Sequence, residues 1–404
     1  MRAEYLEAAD EIGSKLCRNS IWSGNRCNWI GPSMEFVEGD WRPVYRACAG
    51  TIYHGTSGIA LFLQKLYEIT EVAEYRRCAN GALEHALSRT SEIPLTCRGG
   101  FYSGLTGTAY AAFDLGRTDT ALTLLRGLAA EDVADHDLDV ISGSAGAIPV
   151  FLALHARCGE NFLLDLAIRH AEHLLRSARH DGDALSWNTL RATAGRDLTG
   201  FSHGTSGIAW GLLELFAKTG EADYRGAALK GLAYERRWFN REHGNWPDFR
   251  TQNERNPPGS GEPSYGIAWC HGAPGIGLSR LRAYQILGES WCREEAEIAL
   301  RTTGPFCVEP AIHSHNFSLC HGVCGNSELP LAAGAREITE QVARYGIEAY
   351  RKKRMPWPCG VAQAGETPSL MLGTAGIGYF YLRLFDQLKV PSMLLFEQPR
   401  AASQ

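Results

Sequence analysis

Apolar positions along the chain fall into two alternating kinds of segment. Residues 59–66, 208–216 and 377–384 are apolar nearly all round, the mark of a helix buried on every side. Residues 71–88 and 223–239 carry an apolar stripe among charges, the mark of a helix with one wet face. A short glycine motif precedes the fully apolar stretches and occurs seven times, as in Tyr53-His54-Gly55-Thr56-Ser57-Gly58 and Cys270-His271-Gly272-Ala273-Pro274-Gly275. Its first glycines are Gly55, Gly104, Gly143, Gly204, Gly272, Gly322 and Gly373, 39 to 68 residues apart, which leaves room for two helices per unit. Strand alternation and hairpin turn pairs are scarce, so a propeller of the same repeat number is disfavoured. The pattern predicts an all-α ring of seven inner and seven outer helices over residues 51–404. Residues 1–50, with Trp22, Trp29 and Trp41, are expected as a cap segment packed on the ring.

Glycine suits the start of a packed inner helix because it lets neighbouring helix ends approach and tolerates unusual dihedrals. A phosphate cradle at the helix start is the sharper alternative, and seven copies speak against seven phosphate sites. Composition narrows the function classes further. With 404 residues, 45% hydrophobic and 21% charged, the chain is too apolar to be disordered. Its formal charge of −5, from 40 Lys and Arg against 45 Asp and Glu, comes with no long basic run, which excludes nucleic acid as the expected partner. No apolar run reaches the ~18 residues of a membrane span, and the acidic start does not resemble a signal sequence. A soluble, cytoplasmic protein is expected, in which the 12 cysteines are reduced thiols or metal ligands.

Counting back from each first glycine puts equivalent positions at one end of the ring. Histidine stands one before the glycine in four units, His54, His203, His271 and His321, and cysteine stands two before it in two consecutive units, Cys270 and Cys320. Consecutive units are neighbours, so the two thiols are expected to meet, with His321 beside them. Two thiols and an imidazole suit Zn²⁺ and leave one tetrahedral position open, as in a catalytic site. Cys320 and His321 are adjacent in sequence and can share an ion only in the irregular turn that the glycine motif supplies. Cys78, Cys158, Cys292 and Cys307 fall outside this register and read as core or surface thiols, and Cys324, past its glycine, is expected to face the packed helix.

The segments Trp269-Cys270-His271-Gly272-Ala273-Pro274-Gly275, Leu319-Cys320-His321-Gly322, Ser202-His203-Gly204 and Asp139-Val140-Ile141-Ser142-Gly143 resemble the lanthionine synthetase C-like family. Asn326 and residues 370–384 and 391–395 look most like the cyclase portion of class II lanthipeptide synthetases. The resemblance implies an α,α-toroid that joins a cysteine thiol of a dehydrated precursor peptide to dehydroalanine or dehydrobutyrine, giving a thioether ring. It also implies one Zn²⁺ per chain on Cys270, Cys320 and His321. Class II relatives carry an N-terminal dehydratase region that is not seen in this sequence, so a separate dehydratase is an expected partner.

The residues fit that reaction on chemical grounds. A zinc-bound thiol is deprotonated, and thiol addition leaves an enolate that needs an acid. His203 is on the same rim and titrates near neutrality. Asp139 reads either as an ordinary helix N-cap or as the group that holds the His203 tautomer, as in members of the family it resembles. His271 is expected to donate to the enolate oxygen or to cap the turn. The family's arginine four before the first zinc cysteine is replaced by Gly266, so another basic residue is expected from the loop-like stretches 181–200 or 240–266. Three rivals remain: addition of glutathione to dehydroamino acids, a toroid glycosidase, and a non-catalytic module built on a structural zinc. The second needs opposed carboxylates where this rim carries thiols and imidazoles.

Overall fold

The computed structural model describes residues 2–37, 39–190, 196–250, 263–308, 312 and 316–396. The chain opens with helix α1 (Arg2–Arg18), followed by two hairpins, β1 (Ile21–Ser23) with β2 (Arg26–Asn28) and β3 (Ile30–Val37) with β4 (Asp40–Ala47). Helix pairs then follow in order: α2 (Thr56–Thr70) and α3 (Ala73–Leu87), α4 (Leu105–Asp114) and α5 (Thr118–Ala129), α6 (Ser144–Cys158) and α7 (Asn161–Ser177). The short hairpin β5 (Arg179–Asp181) and β6 (Ala184–Ser186) precedes α8 (Thr205–Thr219) and α9 (Ala222–Arg237), then α10 (Ala273–Leu287) and α11 (Ser290–Thr303). The last elements are α12 (Val323–Asn326), α13 (Glu328–Ala332), α14 (Arg336–Gly346) and α15 (Thr374–Phe385).

The first helix of each pair is the inner one, and it starts at a glycine motif. The sixth inner helix is split into α12 and α13 because Pro330 has no N–H to offer the Asn326 carbonyl one turn back. The seventh inner helix, α15, finds its outer partner at the other end of the chain: α1 packs along it, with Tyr5 against Tyr381 and Arg2 over Phe385. Residues 2–18, expected as part of a cap, thus form the seventh outer helix. Trp29 is buried beside them, its Nε1 donating to the Leu16 carbonyl at 2.8 Å.

Steric contact explains the glycines. A Cβ on the second glycine of each motif would lie 1.8 to 2.1 Å from the carbonyl oxygen six residues earlier, Ile52 for Gly58 and Leu319 for Gly325. Any side chain there would push the inner helix off its own lead-in strand of backbone. The first glycines are as tightly placed, with a Cβ 1.8 to 2.4 Å from backbone atoms, and one of them, Gly272 at φ +98, also occupies the left-handed region.

Backbone hydrogen bonds join the lead-in segments into a closed circuit. Tyr53 donates to Tyr102, Tyr102 to Ile141, Val140 to Ser202, Ser202 to Cys270, Cys270 to Cys320, Cys320 to Met371 and Met371 back to Tyr53, at 2.8 to 3.3 Å. Seven units around one axis is therefore a closed toroid. The C-terminal segment fills its centre: Leu394 accepts from Trp269 Nε1 at 3.0 Å, and Phe396 packs on Phe101 and Tyr110. No helix among the described residues is long and apolar enough to cross a membrane.

Candidate metal centre

The circuit fixes the height of every residue two positions before a first glycine, so Cys270 and Cys320 meet at one rim. Their Sγ atoms and a ring nitrogen of His321 lie within 4.8 Å of one another. His321 Nε2 donates to the Gly360 carbonyl at 2.8 Å, which leaves Nδ1 as the nitrogen available to a metal ion. Cys320 is buried, and Tyr53 Oη donates to its sulfur at 2.9 Å. The Cys270 thiol is pushed down to about 6, first by the hydrogen bond from Cys320, which outweighs burial, and then by the positive charge of His321, Arg250 and His203. Cys320 is pushed far up by that same hydrogen bond and by burial, so Cys270 ionises first. Two thiols and an imidazole converging on one point, with one hydrogen bond already orienting each of Cys320 and His321, suit a soft divalent cation.

His203 stands on the neighbouring part of the rim. Its Nδ1 donates to Asp139 Oδ2 at 2.5 Å, while Asp139 Oδ1 accepts from the Ser142 amide at 2.7 Å. The N-cap of α6 is Gly143 and not Asp139, whose two oxygens instead take the Ser142 amide and the His203 ring. Burial pulls the His203 imidazolium down, but the buried Asp139 carboxylate overrides it by charge and hydrogen bond, and the net direction is up. His271 lies alongside, ring centroids 5.9 Å apart. It is buried, and burial first and then Arg250 push it down to about 3, so it is neutral. Among the described residues neither ring nitrogen has a partner in hydrogen-bonding geometry, although the Thr199 carbonyl is near.

Two functional groups escape the sequence reading. Tyr53 occupies the same register position as Cys270 and Cys320, and that register was the available signal. Arg250 is the other: its charge acts on His203, Cys270, His271 and Cys320, and Asp248 holds its Nε at 3.0 Å. It comes from the stretch 240–266 expected to supply a base, of which residues 251–262 lie outside the described residues, as do 191–195 of the stretch 181–200. Gly266 itself packs on the His271 carbonyl, where a Cβ would come within 3.2 Å. Cys324 is buried in α12, its thiol pushed up by burial, and is not one of the three gathered ligands.

Fold and site define a class: an α,α-toroid with a three-ligand thiol and imidazole centre at the rim of its inner helices. The family profile described as Lanthionine synthetase C-like protein matches residues 48–395, and the chain belongs to that family. It is 22% identical over 423 residues to the lacticin 481/lactococcin biosynthesis protein LcnDR2 of Lactococcus lactis subsp. lactis, covering 95% of this chain but only 41% of that protein's length. It is also 22% identical over 307 residues to the nisin biosynthesis protein NisC of the same organism, covering 69% of this chain and 72% of NisC. The solved structure of nisin cyclase is similar with a TM-score of 0.65 at 18% identity, over 86% of this chain and 92% of that one.

Proposed function

We propose that this protein is a zinc-dependent lanthipeptide cyclase, adding a cysteine thiol of a dehydrated precursor peptide to a dehydroalanine or dehydrobutyrine of the same peptide. The observation that carries the reading is the convergence of Cys270, Cys320 and His321 beside a His203 held by Asp139. A zinc ion bound by those three residues would keep an incoming cysteine as its thiolate at neutral pH. Two cysteinate ligands neutralise a divalent ion, so a third sulfur remains electron-rich enough to attack. In the addition the C–S bond forms at the β-carbon and the double-bond electron pair moves to the α-carbon and its carbonyl. The thiol's proton is lost to the site and one is returned at the α-carbon, so the product is an isomer of the substrate.

His203 is the acid in this reading. With Nδ1 engaged by Asp139, its Nε2 is the nitrogen that faces away from the carboxylate, and the Asp139 charge raises the ring's affinity for the proton it would deliver. Arg250 supplies a fixed positive charge where the family arginine is missing, and the buried, neutral ring of His271 is a donor for the enolate oxygen. All 12 cysteines are free, in keeping with a reducing cytoplasm. The substrate arrives dehydrated, the product of a dehydratase acting before this site.

Metal analysis of the purified protein and incubation with a dehydrated, cysteine-containing peptide test the proposal together. Expected are stoichiometric zinc at this site and loss of the peptide's alkylatable thiol with no change in mass. Absence of zinc, a thiol that stays alkylatable, or a product that forms only by uptake of added glutathione would each overturn it.

A further inference from the structure

A second group of cysteines lies far from the rim, where the first helix meets the first outer helix. Cys17 is in the last turn of α1, and Glu74 and Cys78 are one turn apart on α3, which puts them on one face. The two Sγ atoms and a carboxylate oxygen of Glu74 lie within 4.8 Å of one another. Cys78 Sγ is 3.7 Å from Glu74 Oε1, close to the ~3.5 Å edge that Zn–S and Zn–O bonds of ~2.3 and ~2.0 Å make in a tetrahedron. The sequence alone leaves Cys78 as a core or surface thiol, because neither partner is near it in the repeat register.

We propose that Cys17, Cys78 and Glu74 form a second, structural zinc site that fastens α1 to α3. The surroundings favour an ion over a simple thiol pair. Arg77 grips the Glu74 carboxylate with Nε and Nη2 at 2.9 and 2.7 Å, and the same guanidinium lies over the Trp22 ring at 4.1 Å, so the carboxylate is oriented by a neighbour that is itself held. Two thiolates and one carboxylate carry three negative charges, which a divalent cation and Arg77 cancel. Both thiols are buried while Glu74 is half-exposed, which gives an ion a route in from solvent and leaves a fourth position for water. Cys27 lies next to the group with its Sγ 3.4 Å from the Cys78 carbonyl, outside the three-atom set.

The consequence is mechanical. Helix α1 is joined to the rest of the ring by packing, by surface ion pairs and by single hydrogen bonds such as Tyr75 Oη to Asp10 Oδ1 at 2.6 Å, and a metal bridge to α3 fixes it further at the seam where the toroid closes. The inference is independent of the rim centre. Full-length protein carrying Cys270→Ala and Cys320→Ala, loaded with zinc and desalted, should still hold one zinc per chain. Adding Cys78→Ser should remove it, and Glu74→Gln should weaken zinc binding ~10-fold or more while leaving near-ultraviolet dichroism unchanged. Cobalt substituted in the same background should show a thiolate charge-transfer band that Cys17→Ser abolishes. Three results would overturn the proposal: no zinc in the rim-deficient protein, zinc binding indifferent to Glu74→Gln in a folded variant, or a Cys17–Cys78 disulfide in protein purified without oxidant.

Discussion

The Asp139 carboxylate divides its oxygens between a backbone amide and an imidazole, and that division governs how His203 holds its proton. If His203 returns the proton at the α-carbon, His203→Asn should slow cyclisation by ~10²–10⁴ with zinc retained, measured by thiol alkylation over time. Asp139→Asn removes the charge that raises the His203 pKa. The protonated acid is then lost at lower pH, so the alkaline limb of the kcat/KM profile should move toward acid. An unmoved limb would separate His203 from the titrating acid. Arg250→Gln should cut kcat/KM by about 10²–10³, the usual cost of one lost charge-stabilising donor, without changing zinc content. Among these side chains the repeat register pointed to His203, Asp139, Cys270, Cys320 and His321, because each sits at a fixed offset from a glycine. Arg250 has no such offset: it stands two residues after Asp248, which pairs with the Ser264 backbone and holds the Arg250 side chain.

At the scale of elements, inner and outer helices were legible because burial on all sides and burial on one side write different patterns. The β3–β4 hairpin was not. Its strands contain Gly31, Pro32 and Pro43, which weaken a strand signal but are tolerated where two strands pair alone and both edges are free. The glycines were legible as packing devices, yet their cause became clear only from the lead-in carbonyls. Gly325→Ala would set a methyl 1.8 Å from the Leu319 oxygen, next to Cys320, and neither backbone can yield. A loss of ~3 kcal/mol or more in urea unfolding is expected, at the upper end of overpacking costs, together with loss of rim zinc. Another element-level consequence concerns α7, where His170 is wholly buried with Nδ1 2.9 Å from Ser144 Oγ and its ring 5.6 Å from that of His136. Burial, then the neighbouring His136, His173 and Arg169, hold its pKa well below the ordinary value. The unfolded chain therefore takes up a proton below pH ~6.5 that the native chain refuses, and stability present above that pH falls on acidification by up to ~1.4 kcal/mol per pH unit. His170→Asn should flatten the slope of unfolding free energy between pH 6.5 and 5 by one group's share.

For the whole molecule, the closed circuit of seven lead-in segments makes the rim centre a property of the ring and not of any one unit. Cys270 and Cys320 are held at matching height because Cys270 donates to Cys320 and Cys320 to Met371, and the circuit ends only when Met371 reaches Tyr53. That last step joins the seventh unit to the first, and α1 covers the same seam from outside. The N-terminal helix buries Tyr5, Ile12 and Leu16 against the ring, each worth ~1.5–3 kcal/mol of apolar burial, in a protein whose total stability is expected at ~5–15 kcal/mol. Removing residues 1–20 should therefore do more than expose a surface. Made in Cys78→Ser protein, so that zinc content reads the rim alone, the truncation should open the seam, release α15 and separate the Met371 to Tyr53 bond, and the rim should lose its zinc although none of Cys270, Cys320 and His321 has been touched. The expected result is a truncated chain with helical far-ultraviolet dichroism, weakened near-ultraviolet signal and substoichiometric zinc, restored toward native values when a synthetic peptide of residues 1–20 is added. A truncated chain that unfolds cooperatively at the midpoint of the intact protein and retains its rim zinc would show that six outer helices suffice to hold the circuit closed.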